Sequence, residues 1–398
     1  MEKLRIKHIN LIKNTSLKFQ RYLLEILPWK ERLIGIKGSR GVGKTTLLLQ
    51  YIKKEYKITS SKVLYISLDD LYFSDHTLVE FTETFVQNGG EHLFIDEVHK
   101  YKNWSIELKN VYDSYPTLKV VFTGSSLLEI LNSRSDLSRR ALVYSMQGLS
   151  FREFLNFKYS TSFEVVDFNE ILKNHTDVAI TITKQIKPIK ELNVYYKTGY
   201  FPFYSDNDVL YFKRLQEIIN MIVEVELPML RNTDVNIVSK IKQLIYIISQ
   251  SAPFKPNISA LANKIKTTRK TLLEYLLYLT DAGVFRMLHK DSFGVSLLQK
   301  PEKIFLENTN YIFAIKNSVE NKGNIRETFF LNQLTEKHQV TYPEKGDFFV
   351  NNKFLFEIGG ENKSRKQIYT QENSFIVSDN IEIGYKDKIP LWLFGFLY

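Results

Sequence analysis

Apolar and polar positions follow different rhythms in different parts of the chain. In the first third, short and nearly continuous apolar runs ("RLIGIKG", "KVLYISLDDL", "HLFID", "LKVVFTG", "ALVYSMQGLS") are separated by stretches of helical composition such as "TTLLLQYIKKEY". Runs apolar at every position read as strands buried on both faces, and intervening helices make the sheet parallel. From Phe151 to about residue 235 the stretches are helical, which predicts a lid or linker packed on the first domain. After Asn236, "NIVSKIKQLIYIISQ", "NISALANKI" and "RKTLLEYLLYLTDAG" read as three helices, the second capped by Asn257 or Ser259 and the third ending at Gly283. The strand-like "VFRMLHK" follows, so residues 236–300 predict a winged helix-turn-helix. The last stretch, 301–398, carries the helix "IRETFFLNQL" and the strands "DFFV" and "FLFE".

Chemistry concentrates where the first strand meets the first long helix. Gly38, Ser39, Arg40, Gly41, Val42, Gly43, Lys44 and Thr45, with Thr46 behind them, fit G-x-x-x-x-G-K-[ST]. Glycines let backbone N–H groups curl around a phosphate without a Cβ in the way. Lys44 is placed to bridge the β- and γ-phosphates of ATP, and the Thr45 hydroxyl to hold Mg²⁺. The apolar strand at 92–95 ends in Asp96 and Glu97. An aspartate there holds the metal through water, and a glutamate beside it can take a proton from the attacking water. Val120 to Thr123 read as another buried strand, with Ser125 as candidate sensor of the γ-phosphate and Thr123 and Ser126 as alternatives. Capping of the following helix explains these hydroxyls equally well. The order of these motifs predicts the sensor strand between the first and third strands. Arg134, Arg139 and Arg140 follow. Arg139 and Arg140 are candidate fingers onto a neighbouring subunit's γ-phosphate, which would require a homo-oligomer, and a solvated basic turn is the plain alternative.

Two further constellations lie downstream. Lys266, Arg269 and Lys270 fall at the start of the helix that a winged helix would present to DNA, although such modules also serve as lids or bind proteins. Glu327, Asp347 and Glu357 are spaced as a candidate second metal site of the kind that supports phosphodiester cleavage. A lysine two residues after the last acid would activate water, but that position is Gly359; Lys363 reaches the site only if the chain folds back.

Composition narrows the field without deciding it. The 398 residues are 44% hydrophobic and 25% charged, ordinary for a globular chain of two to three domains. The absence of cysteine excludes disulfides, thiolate zinc sites and cysteine nucleophiles. No apolar run is long enough to span a bilayer and the start is charged throughout, so a cytoplasmic protein without membrane contact is expected. A formal net charge of +10 is compatible with a nucleic-acid partner. The seven histidines show no metal-ligand spacing.

Together, the loop, "FIDEVHKYKNW", "FTGSS" and "GLSFREFL" resemble prokaryotic AAA-type ATPases with an uncharacterised C-terminal domain. "KPEKIFLENTNYIFAI", "GNIRETFFLNQL", "FEIGGENKSRKQI" and "IPLWLFGFLY" extend the resemblance over essentially the whole chain. It implies an α/β fold: an AAA-type P-loop parallel sheet at 1–150, a helical lid at 151–235, a winged helix at 236–300 and a restriction-endonuclease-like domain at 301–398. The expected activity is Mg-dependent ATP hydrolysis coupled to action on DNA. The alternatives are a nucleotide-dependent switch for a protein partner and, more distantly, an ATP-regulated nuclease.

Overall fold

The computed structural model describes residues 1–124, 137, 139–204, 207–228, 235–251, 253–290, 300–315, 322–364, 368 and 371–398. Its backbone contacts divide into two compact units, Met1–Gly148 and Leu149–Tyr398.

The first unit is built on five strands: β1 (Leu33–Lys37), β2 (Val63–Ser67), β3 (His92–Asp96), β4 (Lys119–Gly124) and β5 (Leu142–Ser145). They pair in parallel in the order β2-β3-β4-β1-β5, so β4 lies between β1 and β3, as the motif order anticipates. Among the described residues the strands are accompanied by helices α1 (Glu2–Asn14), α2 (Leu23–Ile26), α3 (Lys44–Glu55), α4 (Leu78–Gln87) and α5 (Trp104–Ser114). Alternation along the strands divides the core between two faces. Leu64, Ile66, Leu93, Ile95, Val120 and Phe122 join Phe81 and Phe85 of α4 and Trp104 and Leu108 of α5 in one cluster. On the other face Phe94 meets Tyr51 of α3, which stacks on Trp29 with ring centroids 3.9 Å apart. Helix α4 starts on a reciprocal cap between Thr77 and Glu80.

The second unit begins with α6 (Phe151–Tyr159), α7 (Phe168–Thr183), α8 (Pro188–Thr198) and α9 (Asp208–Met221). Then come α10 (Val235–Ser251), α11 (Ile258–Lys264) and α12 (Arg269–Asp281). A two-stranded antiparallel ribbon follows, β6 (Phe285–Leu288) with β7 (Lys303–Leu306). After α13 (Thr309–Ile315) and α14 (Lys322–Leu334) the chain forms a mixed sheet of β8 (Val340–Thr341), β9 (Phe348–Val350), β10 (Phe354–Gly359), β11 (Ser374–Ser378) and β12 (Lys388–Pro390). Its order is β12-β11-β10-β9-β8, parallel from β10 to β12 and antiparallel from β10 to β8.

The 151–235 stretch, expected as a lid, packs within this second unit. Helix α7 lies on β12, while α6 and α7 lie on the closing turn Leu391–Phe396. Buried polar groups supply the reason. The Asn310 amide nitrogen donates to Tyr195 O and Tyr196 O, both at 2.9 Å, and its oxygen accepts from Tyr200 N at 2.9 Å and the Tyr211 hydroxyl at 2.5 Å. Gln333 accepts from Phe151 N at 3.1 Å and donates to the Tyr195 hydroxyl at 3.0 Å. Separating these elements would strand every one of those groups, each at a cost of roughly 1–3 kcal/mol.

A buried ion pair joins the ribbon to the segment behind it: the Arg286 guanidinium donates to Glu307 and to the Thr335 hydroxyl. Burial raises the Glu307 carboxyl above its ordinary range, and Arg286 opposes that rise. Arg286→Met is expected to destabilise the chain by about 3–5 kcal/mol, because it leaves a buried carboxylate uncompensated, while Arg286→Met/Glu307→Leu recovers most of the loss. Calorimetric unfolding of the wild-type chain and both variants checks this; a single variant as stable as wild type would show that the pair contributes nothing.

Candidate functional site

The glycine loop joins β1 to α3 in a conformation only glycine adopts freely. Gly41 and Gly43 have φ of 86° and 100°, and at Gly38 a Cβ would run into the Met146 carbonyl oxygen. Arg21, which the sequence did not single out, fixes the loop from outside. Its buried guanidinium donates to Val42 O at 2.8 Å, Gln147 O at 2.8 Å and Gly148 O at 2.9 Å. Lys44 is buried at the first position of α3 and donates to Gly38 O at 2.7 Å and Ser39 O at 3.1 Å. Thr45 follows it, and Arg40 and Thr46 are exposed. An ammonium, backbone amides and a helix N-terminus on one loop form a receptor for a polyphosphate.

The buried carboxylate of Asp96 ends β3 and collects hydroxyl groups from three directions. Thr45 Oγ1 donates to Asp96 Oδ2 at 2.6 Å, Tyr65 Oη donates to the same oxygen at 2.8 Å, and Thr123 Oγ1 donates to Oδ1. Thr45 and Thr123 were candidates from sequence; Tyr65 was not. The only available signal was its place within "KVLYIS", where a tyrosine interrupts an apolar strand. In β2 it lies beside Phe94, and Ile66 and Ser67 beside Ile95 and Asp96. Its backbone N–H donates to His8 Nδ1 at 2.9 Å, which ties α1 to the same strand. Burial and the neighbouring Asp96 charge push the Tyr65 phenol up, so it remains a donor. Burial lowers His8 to about 4, so it stays a neutral acceptor.

Glu97 follows Asp96 with a φ of 55°, a left-handed conformation rare for a side chain that is not glycine. Thr123 Oγ1 accepts from Glu97 N at 3.2 Å and so holds this turn. Glu97 Oε2 lies 3.5 Å from His99 Nε2. Burial and the nearby Lys100, Lys44 and Arg40 cations lower His99 to about 3, so this contact is not an ion pair at neutral pH.

Ser125, Ser126 and Arg134 lie outside the described residues. Arg139 is exposed. Arg140 is engaged within its own unit, donating to both Asp113 oxygens at 2.9 and 3.0 Å. An arginine in that fork must break two charge-assisted bonds before it can reach across a subunit boundary.

In the second unit the structure brings Glu327, Asp347 and Glu357 to one place, together with a cation that sequence reasoning missed. Lys303, on β7, lies 2.9 Å from Glu327 Oε2 and 3.6 Å from Asp347 Oδ1. Lys363 folds back to Glu357 Oε1 at 2.5 Å. Gly359 makes that return possible: a Cβ at 359 would meet the Lys363 stem at 2.5 Å. A lysine is therefore present despite the glycine, reached through space rather than by sequence offset. Burial raises Glu327 and Glu357 above the ordinary carboxylate range, and the lysines oppose this. Lysines occupy the acids, and among the described residues no group of three or more acids and histidines is arranged to hold a metal ion.

Lys266, Arg269 and Lys270 are exposed around the start of α12, where Thr268 Oγ1 caps by accepting from Thr271 N at 3.1 Å. Lys266 has a φ of 52° and closes the turn before the helix. No helix among the described residues is long and apolar enough to cross a membrane.

Removing the Tyr65 hydroxyl should loosen Asp96 without emptying the loop. Tyr65→Phe is expected to raise several-fold the Mg²⁺ concentration needed for tight ATP binding, and to slow hydrolysis about tenfold, the equivalent of roughly 1.4 kcal/mol. Metal-free nucleotide binding should be unchanged. A fall in melting temperature with an unshifted Mg²⁺ titration of a fluorescent ATP analogue would reduce Tyr65 to a packing role.

Comparison with known proteins agrees with the first unit's chemistry. Residues 30–155 match the family model of an AAA domain. An uncharacterised protein of Methanocaldococcus jannaschii is 28% identical over 396 residues, covering 90% of this chain and 82% of its own. Among solved structures, a Walker-type ATPase of Pyrococcus abyssi aligns with a TM-score of 0.42 at 12% identity, over 78% of this chain and 95% of its own. The Aeropyrum pernix Orc1 protein, solved in complex with DNA, aligns with a TM-score of 0.32 at 12% identity, over 79% and 91%. Likenesses this distant carry no functional weight. The match over residues 30–155, the glycine loop and the parallel sheet together make the first unit similar to an AAA-type P-loop domain and support a nucleotide-binding ATPase.

Proposed function

We propose that the chain couples Mg-dependent ATP hydrolysis in its first unit to action on DNA through residues 236–300. The observation that carries the ATPase half is the carboxylate of Asp96, held by the Thr45 hydroxyl at 2.6 Å beside the loop that presents Lys44. One hydroxyl and one carboxylate at a phosphate-binding helix N-terminus suit Mg²⁺, which keeps waters and takes its other ligands from the nucleotide. Thr45 and Asp96 would hold that ion, and it would neutralise charge on the β- and γ-phosphates. Lys44 exchanges the carbonyls of Gly38 and Ser39 for phosphate oxygens. Glu97, next in the chain after Asp96, accepts the proton of the attacking water. Thr123 fixes both acids by donating to one and accepting from the backbone of the other.

The DNA half rests on the arrangement of α10, α11, α12 and the β6–β7 ribbon, which fits a winged helix-turn-helix. Phe254 adds an antiparallel bridge to Ile304, and Arg269 and Lys270 open the helix such a module would present to a duplex.

Steady-state ATP hydrolysis at low salt, with and without single- and double-stranded DNA, is the test. Lys44→Ala should abolish nucleotide binding, and Glu97→Gln should retain it while hydrolysis falls by roughly 10²–10⁴-fold. Stimulation by DNA that fades as salt rises supports the coupling. A basal rate unmoved by any DNA replaces it with the nucleotide-dependent switch for a protein partner.

A second reading, ATP-controlled cleavage, draws on the return of Lys363 to Glu357. It predicts Mg-dependent nicking of DNA that Asp347→Ala eliminates. Intact DNA after prolonged incubation with Mg²⁺ and ATP leaves the cluster as a buried ionic brace.

A further inference from the structure

Between Val235 and Leu273 the sequence holds seven lysines and arginines and not one aspartate or glutamate. An acid-free stretch of that length cannot neutralise its own cations, so they must find acids elsewhere, face solvent, or serve an anion. Lys242 does find one, in Glu224. Around the start of α12 the structure gives a different answer.

A groove of about 430 Å³ opens there, lined by Lys255, Asn257, Ser259, Arg269 and Lys300 over the buried Pro256 and Ile258. Its lining contains no acid, and none of its three cations forms an ion pair among the described residues. Arg269 alone of the three cations expected from sequence lines it; Lys255 and Lys300 come from segments on either side. The groove is also pre-formed. Phe254 and Ile304 exchange both backbone hydrogen bonds at 2.8 Å, fixing the chain just before Lys255 and just after Lys300. The Asn257 side chain accepts from Ala260 N at 3.1 Å, which uses its oxygen and leaves its amide hydrogens to donate. Arg269 starts a 13-residue helix whose dipole adds positive potential at that end.

Three converging cations, amide and hydroxyl donors, and no competing carboxylate select for phosphate oxygens. We propose that this groove binds the phosphodiester backbone of a nucleic acid, with Lys255 and Lys300 gripping a strand beside the contact made by Arg269. The proposal rests on the DNA reading above and deepens it: the contact is sequence-independent, and it reaches beyond the helix start to the loop before α11 and the segment before β7. A continuous backbone, rather than a free phosphate, suits three cations carried on separate segments beside the exposed Lys266 and Lys270.

The test uses the full chain and a fluorescein-labelled mixed-sequence duplex, with fluorescence anisotropy measured between roughly 50 and 200 mM salt. Lys255→Gln and Lys300→Gln should each lower the magnitude of the salt slope by roughly one and weaken binding several-fold on every sequence tried. Lys57→Gln, an exposed lysine of the first unit, serves as the charge-matched control, and circular dichroism melts confirm that all variants fold. If wild-type chain binds the duplex and the groove variants behave like Lys57→Gln, the groove proposal fails while the DNA reading stands. If wild-type chain binds neither duplex nor single strand at low salt, both fail. Calorimetric titration with inorganic phosphate separates the remaining source. Tight phosphate binding that is lost in the groove variants, without DNA binding, would make this a small-anion site and overturn the assignment to nucleic acid.

Discussion

The first unit turns on one buried carboxylate. Among the described residues Asp96 forms no ion pair; it is held by the hydroxyls of Thr45, Tyr65 and Thr123. A lysine or arginine partner would neutralise the charge and compete with any metal for it. Hydroxyl donors orient the group without bringing in a competing cation. Each donor comes from a different element, α3, β2 and β4, so the carboxylate also records whether those three are in register. The parallel sheet is what makes this convergence possible: the C-terminal ends of β1, β3 and β4 finish side by side, and everything they carry arrives at one edge.

The second unit solves the opposite problem, since its buried charges are paired at once. Arg286 sits on Glu307, Lys303 on Glu327, Lys363 on Glu357, and Arg326 lies 2.8 Å from Asp379. Such pairs offset their own desolvation only when geometry is good, and they contribute to specificity of packing more readily than to stability. The Asn310 and Gln333 networks knit helices from 151–235 to segments 99 to 182 residues further on. Local rhythm sees a run of helices there and has no access to what those helices lie against.

How much the sequence revealed follows the same division. The glycine loop, Asp96, Glu97 and the place of β4 between β1 and β3 follow from short motifs and their order along the chain, and pattern suffices to find them. Tyr65, Arg21 and Lys303 act on groups dozens of residues away and carry no local mark. Tyr65 looks like one more buried aromatic of a strand, and Lys303 like a solvated charge before an apolar run. Gly359 was the most misleading position. Sequence offset made it a missing lysine, whereas its absent Cβ is what lets the stem of Lys363 return to Glu357.

The two sets of lysines in the second unit therefore deserve opposite interpretations although their composition is the same. Lys303 and Lys363 lie against buried carboxylates, and burial would lower the ammonium of Lys303 were Glu327 not there to raise it. Their charge is consumed internally and adds little to the field outside. Lys255, Arg269 and Lys300 line a groove with no acid among its described residues, their charge facing solvent, where the potential of neighbours adds instead of cancelling. A chain that carries ten more cations than its acids neutralise can place that surplus anywhere on its surface. Here a substantial part of it is gathered in 39 consecutive residues, counting 235 to 273 inclusive, around the start of one helix. Self-repulsion makes such crowding costly in isolation, and a polyanion lying in the groove is the state in which that cost is relieved.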